Sequence, residues 1–147
     1  MIIVSIDVGY INLGLARAVV DECFNVSFLD VIKIDLRHVR HTRVPACECK
    51  IPHTNETCDR IAHFLQEHES ILGSADRILI ERQPIMGFKD VEGLIMSANR
   101  SRTILVSPNS MHKFFGISKF SYDERKIQTE KIAEKYVAHM EEYQTLE

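Results

Sequence analysis

The first twenty positions carry two short apolar runs parted by a polar turn. Ile2 to Ile6 (I-I-V-S-I) is rich in β-branched residues and stops at Asp7, Val8 and Gly9; after Ile11-Asn12-Leu13-Gly14 a second run extends from Leu15 to Val20. Short apolar runs bounded by turn residues predict strands, and two of them around a glycine turn predict a hairpin. Asn25 to Leu36 predicts a third strand by its Val, Ile and Phe content, although its alternation is imperfect. The pattern then breaks over 37–55, a long basic loop with Pro45 and Pro52. From Asn55 a helix is predicted, with Ile61, Phe64, Leu65, Ile71 and Leu72 on one face and Gly73-Ser74 ending it. Arg77 to Glu81 reads as a short buried strand, stopped by Pro84. Asp90 is the expected N-cap of a helix with Val91, Leu94, Ile95 and Ala98 inward. Thr103 to Val106 is a further strand, closed by Ser107-Pro108. Ser121 and Glu124 form a capping box for a last helix, whose apolar side carries Ile127, Ile132, Ala133, Tyr136, Val137 and Met140.

The order is a β hairpin, a strand, and then alternating helices and strands. That order predicts an α/β fold with a mixed sheet and helices on its faces. The chain has 147 residues, enough for a single domain with a core. No apolar run approaches the ~20 residues of a membrane span, and the N-terminus lacks the pattern of a signal peptide. The expected location is therefore intracellular, with Cys23, Cys47, Cys49 and Cys58 as thiols or ligands and not disulfides. The net charge of −3 speaks against a nucleic-acid partner only as a total. Arg37, His38, Arg40, His41, Arg43 and Lys50 form one basic segment, and Arg82, Lys89, Arg100, Arg102, Lys113, Lys119, Arg125 and Lys126 follow Glu81.

Asp7 and Glu81 each close an apolar strand. An isolated D-x-G is ordinarily a turn. A second strand-end carboxylate changes that reading: on neighbouring strands the two project from one sheet edge, where one must take a proton unless a cation joins them. Mg²⁺ accepts oxygen ligands and completes its shell with water and substrate phosphate, which makes phosphodiester hydrolysis the natural chemistry.

The stretches I-D-V-G-Y-I-N-L-G-L-A and I-L-I-E-R-Q-P resemble the RuvC-type Holliday junction resolvases, the poxvirus enzymes and their mitochondrial and iridovirus relatives above all. The resemblance implies a ribonuclease H-like fold with a mixed five-stranded sheet opened by an antiparallel hairpin and helices on both faces. It implies a homodimer that binds four-way junction DNA and makes paired symmetric nicks with Mg²⁺ or Mn²⁺, with Asp7 and Glu81 as catalytic metal ligands. No nucleotide cofactor and no membrane are implied. A viral origin, which would place the protein in host cytoplasm or virion, rests on the resemblance alone. Family members carry a basic residue near the start of the helix after the last strand. Lys126 fits that role best as a third catalytic residue, with Lys119 and Lys113 as rivals. Arg82, Lys89, Arg100, Arg102, Lys113 and Lys119 are the expected DNA contacts, and the helix 55–72 or the one from Asp90 is the expected two-fold interface.

The family completes its metal site with a D-x-x-D pair on a further helix. Glu141-Glu142 is adjacent, not spaced, and is not accepted as that pair. The expectation is a C-terminally truncated chain that folds and dimerises but binds metal weakly. His38, His41, Cys47, Cys49, His53 and Cys58 could form a zinc site. However, C-x-C is not the usual spacing, and a mobile DNA-contacting loop is the adopted reading. His63, His68, His112 and His139 are read as surface or packing residues. Phe114-Phe115 is read as core, or less commonly as a base-stacking pair. Two rivals stand beside the nuclease: an ATP-binding domain of the actin and sugar-kinase type, for which 147 residues leave no room, and a non-catalytic junction-binding protein of the same fold.

Overall fold

A computed structural model describes residues 1–38 and 40–138. His139, Met140, Glu141 and Glu142, each given a role above, lie outside the described residues. The chain divides into two compact units, Met1–Leu105 and Val106–Glu147.

The first unit is built on a five-stranded sheet of order β3-β2-β1-β4-β5. Its strands are β1 (Ile2–Asp7), β2 (Asn12–Val20), β3 (Val26–Asp35), β4 (Arg77–Glu81) and β5 (Thr103–Val106). β1 to β3 form an antiparallel meander, while β4 pairs with β1 in parallel, so the sheet is mixed. A parallel neighbour needs a crossover connection, and the helices α1 (Thr57–Glu67) and α2 (Glu69–Ser74) lie in it. A third helix, α3 (Lys89–Ala98), follows β4.

Strand alternation sends Val4 and Ile6 of β1 and Ile78 and Ile80 of β4 to one face, all essentially excluded from water. Leu13 and Leu15 of β2 join them. Ile61 and Phe64 of α1, Leu72 of α2, and Val91 and Ile95 of α3 cover that face and complete one core. Each of these side chains contributes roughly 1.5–3 kcal/mol by leaving water.

Three helical expectations need correction. The helix expected from Asn55 to Leu72 is two pieces, because the backbone of His68 (φ −101°, ψ 18°) leaves the helical region between them. Asp90 is not the N-cap of α3: Phe88 holds that place, and Asp90 sits in the first turn, where its charge suits the helix dipole. Ala98 faces solvent, while Glu92 is buried.

Arg102 belongs to the scaffold. It lies in a 3₁₀ turn, Arg100–Arg102, and its guanidinium donates to the carbonyls of Leu72, Gly73 and Ala75 at 2.8–3.2 Å and to Asn99 Oδ1. It thus caps the C-terminal carbonyls of α2, which no intrahelical N–H reaches.

In the second unit, α4 (Pro108–Phe114) and α5 (Tyr122–Val137) follow β5. α4 was not expected. Pro108 opens it, and Gly116 at φ +69° closes it, with the N–H groups of Gly116 and Ile117 donating to the carbonyls of Lys113 and His112. The capping box of α5 is present in full between Ser121 and Glu124. Of the expected apolar side of α5, Val137 is buried, whereas Ile127 and Tyr136 are about half exposed. No helix among the described residues is long and apolar enough to cross a membrane.

Replacing Arg102 by Leu removes four donated hydrogen bonds and is expected to lower stability by about 1–2 kcal/mol, whereas Arg100→Leu is expected to stay within about 0.5 kcal/mol. Urea unfolding of the two variants checks this; equal midpoints would show that Arg102 does not hold α2.

Candidate functional site

Ile6 and Ile80 are the last paired residues of the parallel β1–β4 ladder, and the next residue on each strand is acidic. Because alternation points Ile6 and Ile80 into the core, it sends Asp7 and Glu81 together to the opposite face. There the two carboxyl groups are neighbours. Burial first, and then hydrogen bonding with Asp7 and the charge of Asp7, push Glu81 up from the usual carboxylate range to about 7. Glu81 therefore keeps its proton up to near neutral pH, as burial beside a like charge favours. Asp7 is exposed and Glu81 partly so, which leaves the pair open to solvent and to a large ligand.

Two glycines shape this corner. A Cβ at Gly9 would overlap the carbonyl oxygen of Asn12, so the tight turn after Asp7 requires glycine. Gly14 lies directly across the ladder from Asp7, and a Cβ there would sit 3.4 Å from that of Asp7. Its absence leaves space beside the carboxylate.

The chain beyond Glu81 is tied down from α3. Glu92, 5% exposed, accepts from the backbone N–H of Gln83 and from Lys89 Nζ at 2.9 and 3.2 Å. Burial favours its neutral form, but Lys89 and the Gln83 N–H outweigh burial and hold it ionised. Gln83 in turn donates from Nε2 to the Glu81 carbonyl at 3.3 Å. Glu92 was not among the expected functional residues. Its sequence signal is weak, because a glutamate in the first turn of a helix is ordinary.

The segment that follows is exposed and apolar. Pro84 accepts from the Gly87 N–H at 2.8 Å, and this turn presents Ile85 and Met86 at 91% and 96% exposure. Phe88 lies against Tyr10, the residue after Gly9, with ring centroids 6.0 Å apart. Ile85, Met86, Phe88 and Tyr10 thus form an apolar rim on the turns that leave the carboxylate strands. The visible hint was apolar residues placed inside a Pro-Gly turn, where polar ones are usual.

The expected DNA-contacting residues fare differently. Arg82 and Arg100 are exposed. Lys89 is paired with Glu92, and Arg102 is engaged by α2. Lys113, Lys119 and Lys126 belong to the second unit, where all three are exposed; Lys119 Nζ lies 5.3 Å from the Phe120 ring centre and Lys126 Nζ lies 4.7 Å from that of Tyr122. Phe114 and Phe115 are not core: they are 83% and 41% exposed and meet edge to face.

No protein-family model matches the sequence, and no curated protein matches it by sequence comparison. Solved structures do match. The fowlpox virus resolvase in complex with its substrate Holliday junction DNA superimposes with a TM-score of 0.66 over 97% of this chain and 80% of that one, at 16% identity. The fold is ribonuclease H-like. Thermus thermophilus RuvC matches with a TM-score of 0.56 over 84% of this chain and 75% of that one, at 13% identity. The yeast mitochondrial Holliday junction resolvase Ydc2 matches with a TM-score of 0.56 over 77% of this chain and 55% of that one, at 15% identity. The fold that carries this mixed five-stranded sheet is thus similar to that of these solved resolvases.

The raised Glu81 carboxyl has a consequence for stability. Its folded-state pKa lies above the unfolded value, so its contribution is fully present below about pH 4.5 and is lost as pH rises through about 7. Glu81→Gln is therefore expected to match the unsubstituted chain in stability at acid pH and to exceed it by about 1–2 kcal/mol at pH 8, after discounting for partial exposure. Urea midpoints across this range check it; a pH-independent difference would refute the raised Glu81 carboxyl.

Proposed function

We propose that this protein is a metal-dependent, structure-specific endonuclease acting on four-way DNA junctions. The observation that carries the reading is the Asp7–Glu81 pair, two neighbouring carboxyl groups at the ends of adjacent central strands. The fold supports it, since its structural neighbours include a resolvase bound to Holliday junction DNA.

The donor set fits Mg²⁺ or Mn²⁺: hard oxygen donors on rigid strands, with few protein ligands and therefore coordination positions left for water and phosphate. A divalent ion bound there would supply Lewis-acid stabilisation of charge on the scissile phosphate. The protein's own part is placement. Strand pairing holds Asp7 and Glu81 at fixed separation, and Glu92 fixes the backbone just past Glu81. Glu81 must release its proton for both carboxylates to act as ligands. Arg82, exposed one residue beyond Glu81, is placed to contact the phosphate backbone. Lys126 is our candidate for the basic residue that completes catalysis, with Lys113 and Lys119 as further phosphate contacts. Ile85 and Met86 have the exposure of side chains that wedge against unstacked bases, which a junction centre offers and a continuous duplex does not. Paired nicks need two such sites facing one junction, so the working unit is a homodimer with two-fold symmetry.

The test is cleavage of an end-labelled four-way junction with Mg²⁺ or Mn²⁺. Symmetric nicks from the unsubstituted chain at raised Mg²⁺ or Mn²⁺ concentration, as weak metal binding requires, lost in Asp7→Asn and Glu81→Gln while binding persists, are the expected outcome. Tight junction binding without nicks under either ion would favour a non-catalytic junction-binding protein of the same fold. Equal affinity for junction and duplex would overturn the substrate.

A second experiment addresses the rim. Ile85→Ala/Met86→Ala is expected to reduce junction affinity about tenfold or more while leaving duplex affinity and its salt dependence unchanged, because apolar wedges and phosphate contacts are separate contributions. Gel-shift titrations on both DNAs read it; a parallel loss on duplex would assign the rim a general role.

A further inference from the structure

The loop 37–55 contains no helix or strand among its described residues, yet it is not featureless. It folds back on α1 so that ligand atoms of His41, Cys49 and His53 all lie within 4.8 Å of one another. His63 of α1, 4% exposed, adjoins them: its Nδ1 is 3.8 Å from Cys49 Sγ. The rings of His41 and His53 are 5.1 Å apart, those of His41 and His63 5.8 Å, and those of His53 and His63 4.8 Å. Three imidazoles and a thiol thus converge from four separate positions along the chain.

The hydrogen bonds around the cluster orient it. His63 Nε2 faces the Pro52 carbonyl at 3.3 Å, so a proton there leaves Nδ1, the nitrogen beside the sulfur, with a free lone pair. His41 Nδ1 faces the Val44 carbonyl at 3.1 Å, which leaves its Nε2 free in the same way. A backbone carbonyl on the far ring nitrogen is the usual support of a metal-bound histidine. Packing alone gives no reason for so many lone pairs to meet.

We propose that His41, Cys49, His53 and His63 bind one Zn²⁺. The donors are those zinc selects, and the number fills a tetrahedral site. With Zn–N near 2.05 Å and Zn–S near 2.3 Å, the edges of such a site are about 3.3–3.6 Å. The Cys49–His63 distance is already close to that. The separations among His41, Cys49 and His53, within 4.8 Å, must shorten by up to about 1.5 Å to reach those edges. The His41 and His53 rings must close on the His63 side, and His53 must turn out of its stack with His63, since lone pairs in parallel ring planes cannot meet at one point. His53 is the exposed member and is free to turn. The ion would clip the basic loop to α1, supplying the order that regular structure does not. This site shares no residue with the Asp7–Glu81 pair and stands or falls independently of it.

The experiment uses the full chain, stripped of metal and titrated with Co²⁺ and then Zn²⁺. One Co²⁺ per chain is expected to give tetrahedral d–d bands and a thiolate charge-transfer band, both displaced by Zn²⁺. The charge-transfer band should vanish in Cys49→Ser and persist in Cys47→Ser, Cys58→Ser and Asp7→Asn. His53→Gln, altered at an exposed position, should fold normally, bind Zn²⁺ at least about tenfold more weakly, and lose most of the rise in melting temperature that Zn²⁺ gives the unsubstituted chain. Persistence of the band in Cys49→Ser, or unchanged Zn²⁺ affinity in His53→Gln, would overturn the proposal.

Discussion

The parallel pairing of β1 with β4 is the constraint on which the rest depends. Four apolar residues, Val4, Ile6, Ile78 and Ile80, enter the core together because the ladder aligns Val4 with Ile78 and Ile6 with Ile80. The same alignment puts Asp7 beside Glu81. A slip of one residue along either strand would turn the apolar set out of the core as well as separate the carboxylates, so burial of the isoleucines enforces the geometry of the acids. Repulsion between the carboxyl groups is carried by this hydrophobic register and relieved while Glu81 keeps its proton.

Around that centre the molecule places polar groups where they finish backbone left open elsewhere. Glu92 takes the Gln83 N–H beyond β4, Arg102 takes the last carbonyls of α2, and Ser121 with Glu124 closes the start of α5. Each is a charged or hydroxyl group meeting backbone that secondary structure cannot satisfy. The carboxylate rim, in contrast, leaves apolar side chains on its flanking turns facing solvent. Such exposure is uncommon without a partner surface, and it lies on the turns that leave the carboxylate strands.

Much of this was legible along the chain. The strands Arg77–Glu81 and Thr103–Val106 have the bounds expected of them, and the capping box of α5 was readable from residue spacing. These are local signals: alternation, turn residues and a hydroxyl-to-glutamate interval of three. The helix α4 was also marked, by Pro108 at its start and Gly116 beyond its end, but seven residues carry too little periodicity to stand out. The role of Arg102 was not legible, because its partners lie 27–30 positions away. Phe114 and Phe115 show the limit of composition: an aromatic pair is apolar whether or not anything covers it.

By itself the sequence determined which segments are strands, where they end and that two of them end in carboxylates, since period and turn chemistry act between near neighbours. Tertiary structure decided which ends meet. Asp7 and Glu81 lie side by side only because β4 returns beside β1. His41, Cys49 and His53 come within reach of His63 only because the irregular loop lies on α1. The first outcome could be anticipated because the pairing of two apolar strands has few alternatives. The second could not, because a loop without periodicity offers no rule for which of its side chains will converge.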